Sequence, residues 1–382
     1  MHFWLGPDRI SGTDLTKLRE LSSTHAFLVP IIRFLEFWHS GETSWQARTS
    51  GSTSDPKPVS IRRNQMLASA RTTLQFFQWD STRHGLVLAL DARPVGGFMV
   101  LVRALLADLD VLLLEPSLQP IPEGGFPEGK EWFISMVPAQ LAHFLALPEA
   151  AEVSRKLTGI LLGGAPLPAE VEKKLPRLAC PVYQGYGMTE TVSHIALRRN
   201  WPEPENDYLL LPGLEIDFSK EGTLCIRGEV TDGEWIRTRD QVEPTSKNRF
   251  RFLGREDLAI NSGGLKVFPG QVLDLLKEKN AMTAADLEVL ALPHPELGEE
   301  IVLVVFGDPE EETQTRESAF WTQLLAHTHD PEKRRIFPRK VFSLSARLFT
   351  TSGKTDFPGL KNQLSTHLPI WERSPESANE HG

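Results

Sequence analysis

Between residues 86 and 184 short, almost wholly apolar runs alternate with longer stretches in which apolar positions recur every three to four residues. The short runs are Leu86 to Leu90, Val111 to Leu114, Trp132 to Met136, Gly159 to Leu162 and Pro181 to Gln184. The periodic stretches are Val95 to Asp108 and those beginning near Pro138 and Pro166. A short apolar run suits a strand covered on both faces, whereas the three-to-four-residue period suits a helix with one covered face. Their alternation predicts an α/β fold built on an open, largely parallel sheet. The first 45 residues, with Leu28, Ile31, Ile32, Leu35 and Trp38 at mixed three- and four-residue steps, predict helices packed onto the next part of the chain.

After about residue 205 the pattern changes to brief β-type runs punctuated by Gly and Asp, among them Thr223 to Arg227, Trp235 to Thr238 and Phe250 to Leu253. This predicts a small β subdomain. Past Gly254 the pattern is mixed again, with a helix expected at Gln271 to Lys279 and a strand at Glu300 to Phe306. The expected organisation is a large α/β domain over 1–254 and a smaller, mobile α+β domain over 255–371. Residues 372–382, rich in Ser, Pro, Glu and Asn, are expected to form a disordered tail. A chain of 382 residues suits two cores better than one.

Charge narrows the choice of ligand. The 41 basic and 50 acidic residues leave a net charge of −9, which argues against nonspecific binding to nucleic acid or an anionic membrane. The most apolar stretch, Leu86 to Glu115, is broken by Asp91, Arg93, Arg103, Asp108 and Asp110, so no membrane insertion is expected. Met1-His2-Phe3-Trp4 does not start a basic and then apolar leader, which predicts a cytoplasmic protein. Cys180 and Cys225 lie far apart without ligand spacing and read as thiols rather than a zinc site. A small-molecule ligand is left as the expected partner; the oligomeric state stays open.

Two segments carry candidate chemistry. Thr49-Ser50-Gly51-Ser52-Thr53-Ser54-Asp55-Pro56-Lys57 packs hydroxyls, a glycine and a lysine into one loop, suited to offering N–H and O–H donors and a counter-charge to a polyphosphate. It is not a Walker loop, and Leu348 to Thr355, which ends in Gly-Lys-Thr, lacks that motif's first glycine. Gln184-Gly185-Tyr186-Gly187-Met188-Thr189-Glu190-Thr191 follows a strand candidate, where ligands of parallel sheets bind. There Tyr186 would stack on a purine and Glu190 would hold a magnesium ion.

Taken in order, the hydroxyl loop, Gly163-Gly164-Ala165-Pro166, Tyr186 to Glu190, Thr238-Arg239-Asp240, Gly254-Arg255-Glu256-Asp257 with Asn261 to Pro269, and Ser352-Gly353-Lys354 resemble the adenylate-forming superfamily of acyl-CoA synthetases, luciferases and adenylation domains. The resemblance spans about residues 45 to 360. It implies ATP, Mg2+ and coenzyme A as co-substrates and cofactor, and an acyl-adenylate that is passed on to the thiol. Thr49, Ser50, Gly51, Ser52, Thr53 and Lys57 would hold the β- and γ-phosphates. Gly164 and Ala165 would line the adenine pocket, with Tyr186 and Gly187 beside it. Thr189 would reach the α-phosphate, Glu190 the metal, and Asp240 with Arg255 the ribose. Asp257 matches the hinge, Gly264 the glycine beside the pantetheine tunnel, and Lys354 the lysine that bridges the acyl carboxylate and the α-phosphate.

There are departures from the pattern. Ser54 and Pro58 stand where the loop usually has glycines, Arg239 replaces the glycine of Thr-Gly-Asp, and Asn261 stands where many members have lysine. The segment before the phosphate loop is much shorter than in typical members. Tyr186 to Ala196, together with Ile260 to Val267, looks like the o-succinylbenzoate-CoA ligases of menaquinone biosynthesis, particularly their short bacterial forms. That substrate carries a second carboxylate, for which Arg93 or Arg103, flanking Gly96-Gly97, are the candidates, with Ser193 and His194 as polar contacts nearer the reacting end. An enzyme that loads another carboxylic acid onto CoA or a carrier protein, and a non-catalytic ATP-binding homologue, remain as alternatives.

Overall fold

The computed structural model describes residues 1–48, 58–122, 125–278, 286–307, 321–322, 324–326, 328–348 and 355–373. Two compact units emerge: Met1–Phe218 with Cys225–Arg237 and Pro244–Arg251, and Ser219–Leu224 with Thr238–Glu243 and Phe252–Gly382.

In the first unit the strands His2–Leu5, Asp110–Leu113, His84–Leu88, Glu131–Met136, Leu157–Leu162 and Val182–Met188 lie side by side in that order, all parallel. Asp8–Ser11 closes one edge antiparallel to His2–Leu5, and Ser193–Trp201 and then Tyr208–Leu210 extend the other edge antiparallel. Alternate side chains of each parallel strand serve opposite cores. Leu86, Leu88, Val111 and Phe133 face the helices Leu28–Ser40, Arg63–Phe77 and Val95–Ala107, while Val87, Leu112 and Ile134 meet Leu141 and Phe144 of helix Pro138–Ala146. Both faces are therefore covered, which is why the strands read as unbroken apolar runs. Pro138 starts its helix where its missing N–H is not needed.

Two expectations change. Residues 2–11 form an edge hairpin, not a helix, because Phe3 and Ile10 are the inward positions of strands too short to show a period. The helical stretch near Pro166 shrinks to Ala169–Glu172.

The second unit is α+β. Its central strand, Gly298–Phe306, pairs antiparallel with Asp286–His294 along its whole length and parallel with Lys340–Leu344. Helix Pro269–Glu278 packs on one side through Val272 and Leu276, and helix Phe357–Leu364 on the other through Leu360 and Leu364. Glu372 pairs with Lys340 and Arg373 N–H donates to Arg339 O, so these two residues belong to the sheet edge, not to the tail expected from residue 372. Residues 374–382 lie outside the described residues.

Candidate active site

A buried polar group of the first unit grows out of the hairpin between Val182–Met188 and Ser193–Trp201. The strands approach so closely that a Cβ on Gly187 would lie 2.1 Å from Ser193 O and 2.7 Å from His194 Cα. Glycine is required there by contact. In the connecting turn Met188 N–H donates to Thr191 Oγ1 at 3.0 Å, and Val192 N–H to Thr189 O at 3.0 Å. Val192 and Ser193 both lie in the left-handed region, at φ 52° and 87°. For a β-branched residue that conformation stores roughly 1–3 kcal/mol. Burial holds it in place: Val192 is 1% exposed, and Ser69 Oγ donates to its carbonyl at 2.6 Å.

This turn brings Ser193 and His194 to Arg103 on helix Val95–Ala107. The helix starts hard against the preceding segment, where a Cβ on Gly97 would sit 1.9 Å from Asp91 O. Gly97 is thus explained by packing. Arg103 is 2% exposed; its Nη2 donates to Ser193 Oγ at 3.2 Å and lies 3.5 Å from His194 Nδ1. Among the described residues no carboxylate pairs with it, and its buried Nε has no hydrogen-bond partner. Burial pulls its pKa down to about 10, so the guanidinium stays charged at neutral pH. His194 Nε2 lies 3.0 Å from Thr73 Oγ1. Burial, and then the Arg103 charge, hold the imidazole well below its ordinary pKa and keep it neutral.

Arg93 does not join this group. It is exposed, forms a close ion pair with Asp91, and donates its own N–H to Asp91 Oδ1 at 2.9 Å, all within one local turn ahead of the helix. Of the two arginines expected at a substrate carboxylate, the structure brings only Arg103 together with Ser193 and His194.

Around the same hairpin, strand Leu157–Leu162 is followed by Gly164, at φ 85°, and Gln184 Nε2 tethers that turn by donating to Ala165 O at 3.2 Å. Tyr186 is 9% exposed, with its ring edge-on to Phe250 at 5.1 Å and tilted against Tyr208 at 5.6 Å. Thr189 is buried while Glu190, next to it, is exposed. Among the described residues no three His, Cys, Asp or Glu side chains converge as a metal site.

The second unit carries its own group. Asp240 is 6% exposed and donates its N–H to Thr238 Oγ1 at 3.0 Å. Arg255 Nη1 lies 3.7 Å from Asp240 Oδ1, while Nε and Nη2 bind Asp257 at 2.9 and 3.1 Å. Those bonds hold the Asp257 carboxyl below its usual pKa. Gly263 and Gly264, at φ 57° and 78°, make the turn between Ile260–Ser262 and Leu265–Val267. A two-residue hairpin turn with positive φ at both centres favours glycine for its backbone alone, and a Cβ on Gly264 would meet nothing within 4 Å.

Thr49, Ser50, Gly51, Ser52, Thr53, Lys57 and Lys354 lie outside the described residues. Ser69, Thr73, Tyr208 and Phe250 were not anticipated, and Gln184 was named only as the start of its segment. For the first two a signal existed, since hydroxyls four residues apart share a helix face.

Comparison with known proteins places these groups in a family. Residues 48–234 match the family model described as AMP-binding enzyme. The 2-succinylbenzoate–CoA ligase of Enterococcus faecalis is 26% identical over 290 residues, 69% of this chain and 59% of the relative. That of Haemophilus influenzae is also 26% identical, over 72% of this chain and 62% of the relative. The chain thus spans about 60% of the length of these curated relatives. Among solved structures, an acyl-CoA synthetase (AMP-forming)/AMP-acid ligase II-like protein from Dyadobacter fermentans is 32% identical with a TM-score of 0.56, covering 88% of this chain and 94% of that one. The o-succinylbenzoate CoA synthetase of Bacillus subtilis in complex with its acyl-adenylate intermediate shares the fold at 21% identity and a TM-score of 0.62, over 85% of this chain and 69% of that one. At the identity and coverage of the Dyadobacter protein, together with the family match, the chain belongs to the AMP-binding enzyme family.

Proposed function

We propose that the chain is an ATP-dependent acid–thiol ligase, forming an acyl-adenylate and then a CoA thioester, and that its acid is a dicarboxylate of the o-succinylbenzoate type. The observation that carries the substrate reading is Arg103. A guanidinium that is 2% exposed, faces no carboxylate among the described residues and leaves Nε without a partner suits a ligand that brings its own negative charge. Ser193 Oγ, already bonded to Nη2, lies beside it as a second polar contact. The names of the curated relatives support the same acid.

Each unit holds residues that suit part of a nucleotide. Gly164 has only Val137 Cγ1, at 3.7 Å, near where a Cβ would stand, leaving its backbone open to close approach, and Asp240 is a buried carboxylate of the kind that accepts from paired ribose hydroxyls. Tyr186 and Ala165 would border the base, Thr189 the α-phosphate, and Thr49 to Lys57 the outer phosphates. A magnesium ion would neutralise phosphate charge, with Glu190 as its protein ligand and phosphate oxygens and water completing the shell. Attack of the acid's carboxylate oxygen on the α-phosphorus breaks the bond to pyrophosphate. Because two anions approach, Lys354 would supply positive charge at that step. The thiol sulfur then attacks the acyl carbon, its proton passes to solvent, and AMP leaves.

ATP–pyrophosphate exchange across a panel of acids tests the first half-reaction, and CoA thioester formation the second. The expected result is the highest kcat/KM with o-succinylbenzoate. A preference for benzoate or fatty acids would overturn the substrate assignment, and no exchange with any acid would overturn the ligase assignment.

A further inference from the structure

Behind Arg103 lies a chain of buried groups whose hydrogen positions can be worked out one by one. Thr73 is fully buried and Ser69 is 1% exposed; they stand one turn apart on helix Arg63–Phe77. Thr73 Oγ1 bonds back to Ser69 O at 3.1 Å, and because a carbonyl can only accept, the single hydroxyl hydrogen of Thr73 is used when that bond is made. Toward His194 Nε2, at 3.0 Å, Thr73 can then only accept. The imidazole proton must therefore sit on Nε2, which leaves Nδ1 bare. Nδ1 faces Arg103 Nη2 at 3.5 Å, and a guanidinium only donates. The opposite tautomer would set N–H against N–H at Arg103. The arrangement in which Arg103 Nη2 finds acceptors in both Ser193 and His194 runs from Arg103 to His194, His194 to Thr73 and Thr73 to Ser69.

We propose that Thr73 is a positioning residue for anion recognition. By fixing the Nε2–H tautomer of His194 it makes Nδ1 an acceptor that, with Ser193 Oγ, holds Nη2 of the Arg103 guanidinium and leaves the unpartnered Nε–H for a substrate carboxylate. Among the described residues the Thr73 hydroxyl itself bonds only to Ser69 and His194. Its effect reaches the acid only through the orientation of Arg103. The inference rests on the dicarboxylate reading for its consequence, though its first link, the tautomer, can be observed without any substrate.

The experiment compares wild type, Thr73→Val and Thr73→Ser by nitrogen NMR of histidine-labelled protein and by pyrophosphate exchange with o-succinylbenzoate and benzoate. In the wild type His194 should carry its proton on Nε2. Thr73→Val, which keeps the shape and loses the acceptor, should move part or all of that proton to Nδ1 and raise the KM for o-succinylbenzoate about tenfold. Its kcat should stay within about twofold, and so should the KM for benzoate. Thr73→Ser should restore both the tautomer and the KM. The remaining histidine signals report whether each variant is folded. An unchanged His194 tautomer in Thr73→Val, or an equal KM rise for both acids, would overturn the proposal. If the wild type activates no dicarboxylate, the substrate reading fails on its own, and the tautomer in Thr73→Val still decides whether Thr73 orients the ring that holds Arg103.

Discussion

Arg103 and Arg255 are both candidate ligand-binding arginines, and their surroundings are opposite. Arg255 has a side chain 41% exposed and bonds to Asp257 while lying 3.7 Å from Asp240, so its charge is balanced within the chain and partly screened by solvent. Arg103 is 2% exposed and is held by a serine and a neutral histidine, neither of which offsets its charge. A desolvated, unbalanced cation costs stability, whereas an exposed bidentate pair is nearly neutral to it. On the proposed function, local charge balance would separate an arginine tied into its own loop from one kept ready for an incoming anion.

The largest expected effect falls on the unbalanced site. Arg103→Met should lower kcat/KM for o-succinylbenzoate by about 100-fold or more, because a buried charged contact is worth roughly 2–5 kcal/mol when one partner is removed. The same variant should melt no lower than wild type, since it replaces a desolvated charge by an apolar chain of similar length. Loss of activity with a clearly lower Tm would mean that Arg103 is structural after all, and the contrast would break. On the other side, Asp240→Asn keeps the shape and removes the charge. It should raise the KM for ATP about tenfold and leave that for the acid unchanged, as steady-state exchange kinetics would reveal.

Two smaller effects sharpen the comparison through pH. His194 has a folded pKa below its unfolded value of about 6.5, so under acid the unfolded chain binds the extra proton. Its contribution is complete above about pH 6.5 and is lost as pH falls. Thermal melts should therefore show the wild type losing more stability than His194→Gln from about pH 6.5 to 5, at no more than about 1.4 kcal/mol per pH unit, the limit for one proton. Asp257 has a folded pKa below 3.8, so its share is present above 3.8 and vanishes as pH falls through the lowered value. With both side chains partly exposed, Arg255→Gln should cost less than about 1 kcal/mol in urea unfolding at pH 7, and progressively less as pH falls below 3.8. A larger cost would show that the Arg255 cluster is stiffer than its exposure suggests.

Much of this was legible from residues alone, for identifiable reasons. Val87, Leu112 and Ile134 belong to strands covered on both faces, and such strands show as continuous apolar runs. The hairpin at residues 2–11 was missed because four-residue strands mixing His, Arg and Asp carry no measurable period. Gly187 was visible as part of a motif, but its physical cause, 2.1 Å from Ser193 O, exists only once the facing strand is in place. Thr73 and His194 are 121 residues apart, so no local pattern could join them. Arg93 and Arg103 looked equivalent in sequence; what divides them is a turn that lets Arg93 reach Asp91 and a helix that carries Arg103 inward.

The parallel pairing of Phe3 with Val111 and Trp4 with Leu112 also bears on how the molecule is made. During synthesis the strand His2–Leu5 can pair at once with Asp8–Ser11, but its parallel partner is absent until more than a hundred further residues have been added, about 5–20 s at typical elongation rates. Over that interval Phe3, fully buried in the finished protein, stays uncovered by its own sheet. The parallel side of this edge therefore waits for a partner more than a hundred residues downstream, which makes it a high-contact-order step and a natural place for a nascent-chain chaperone to hold on.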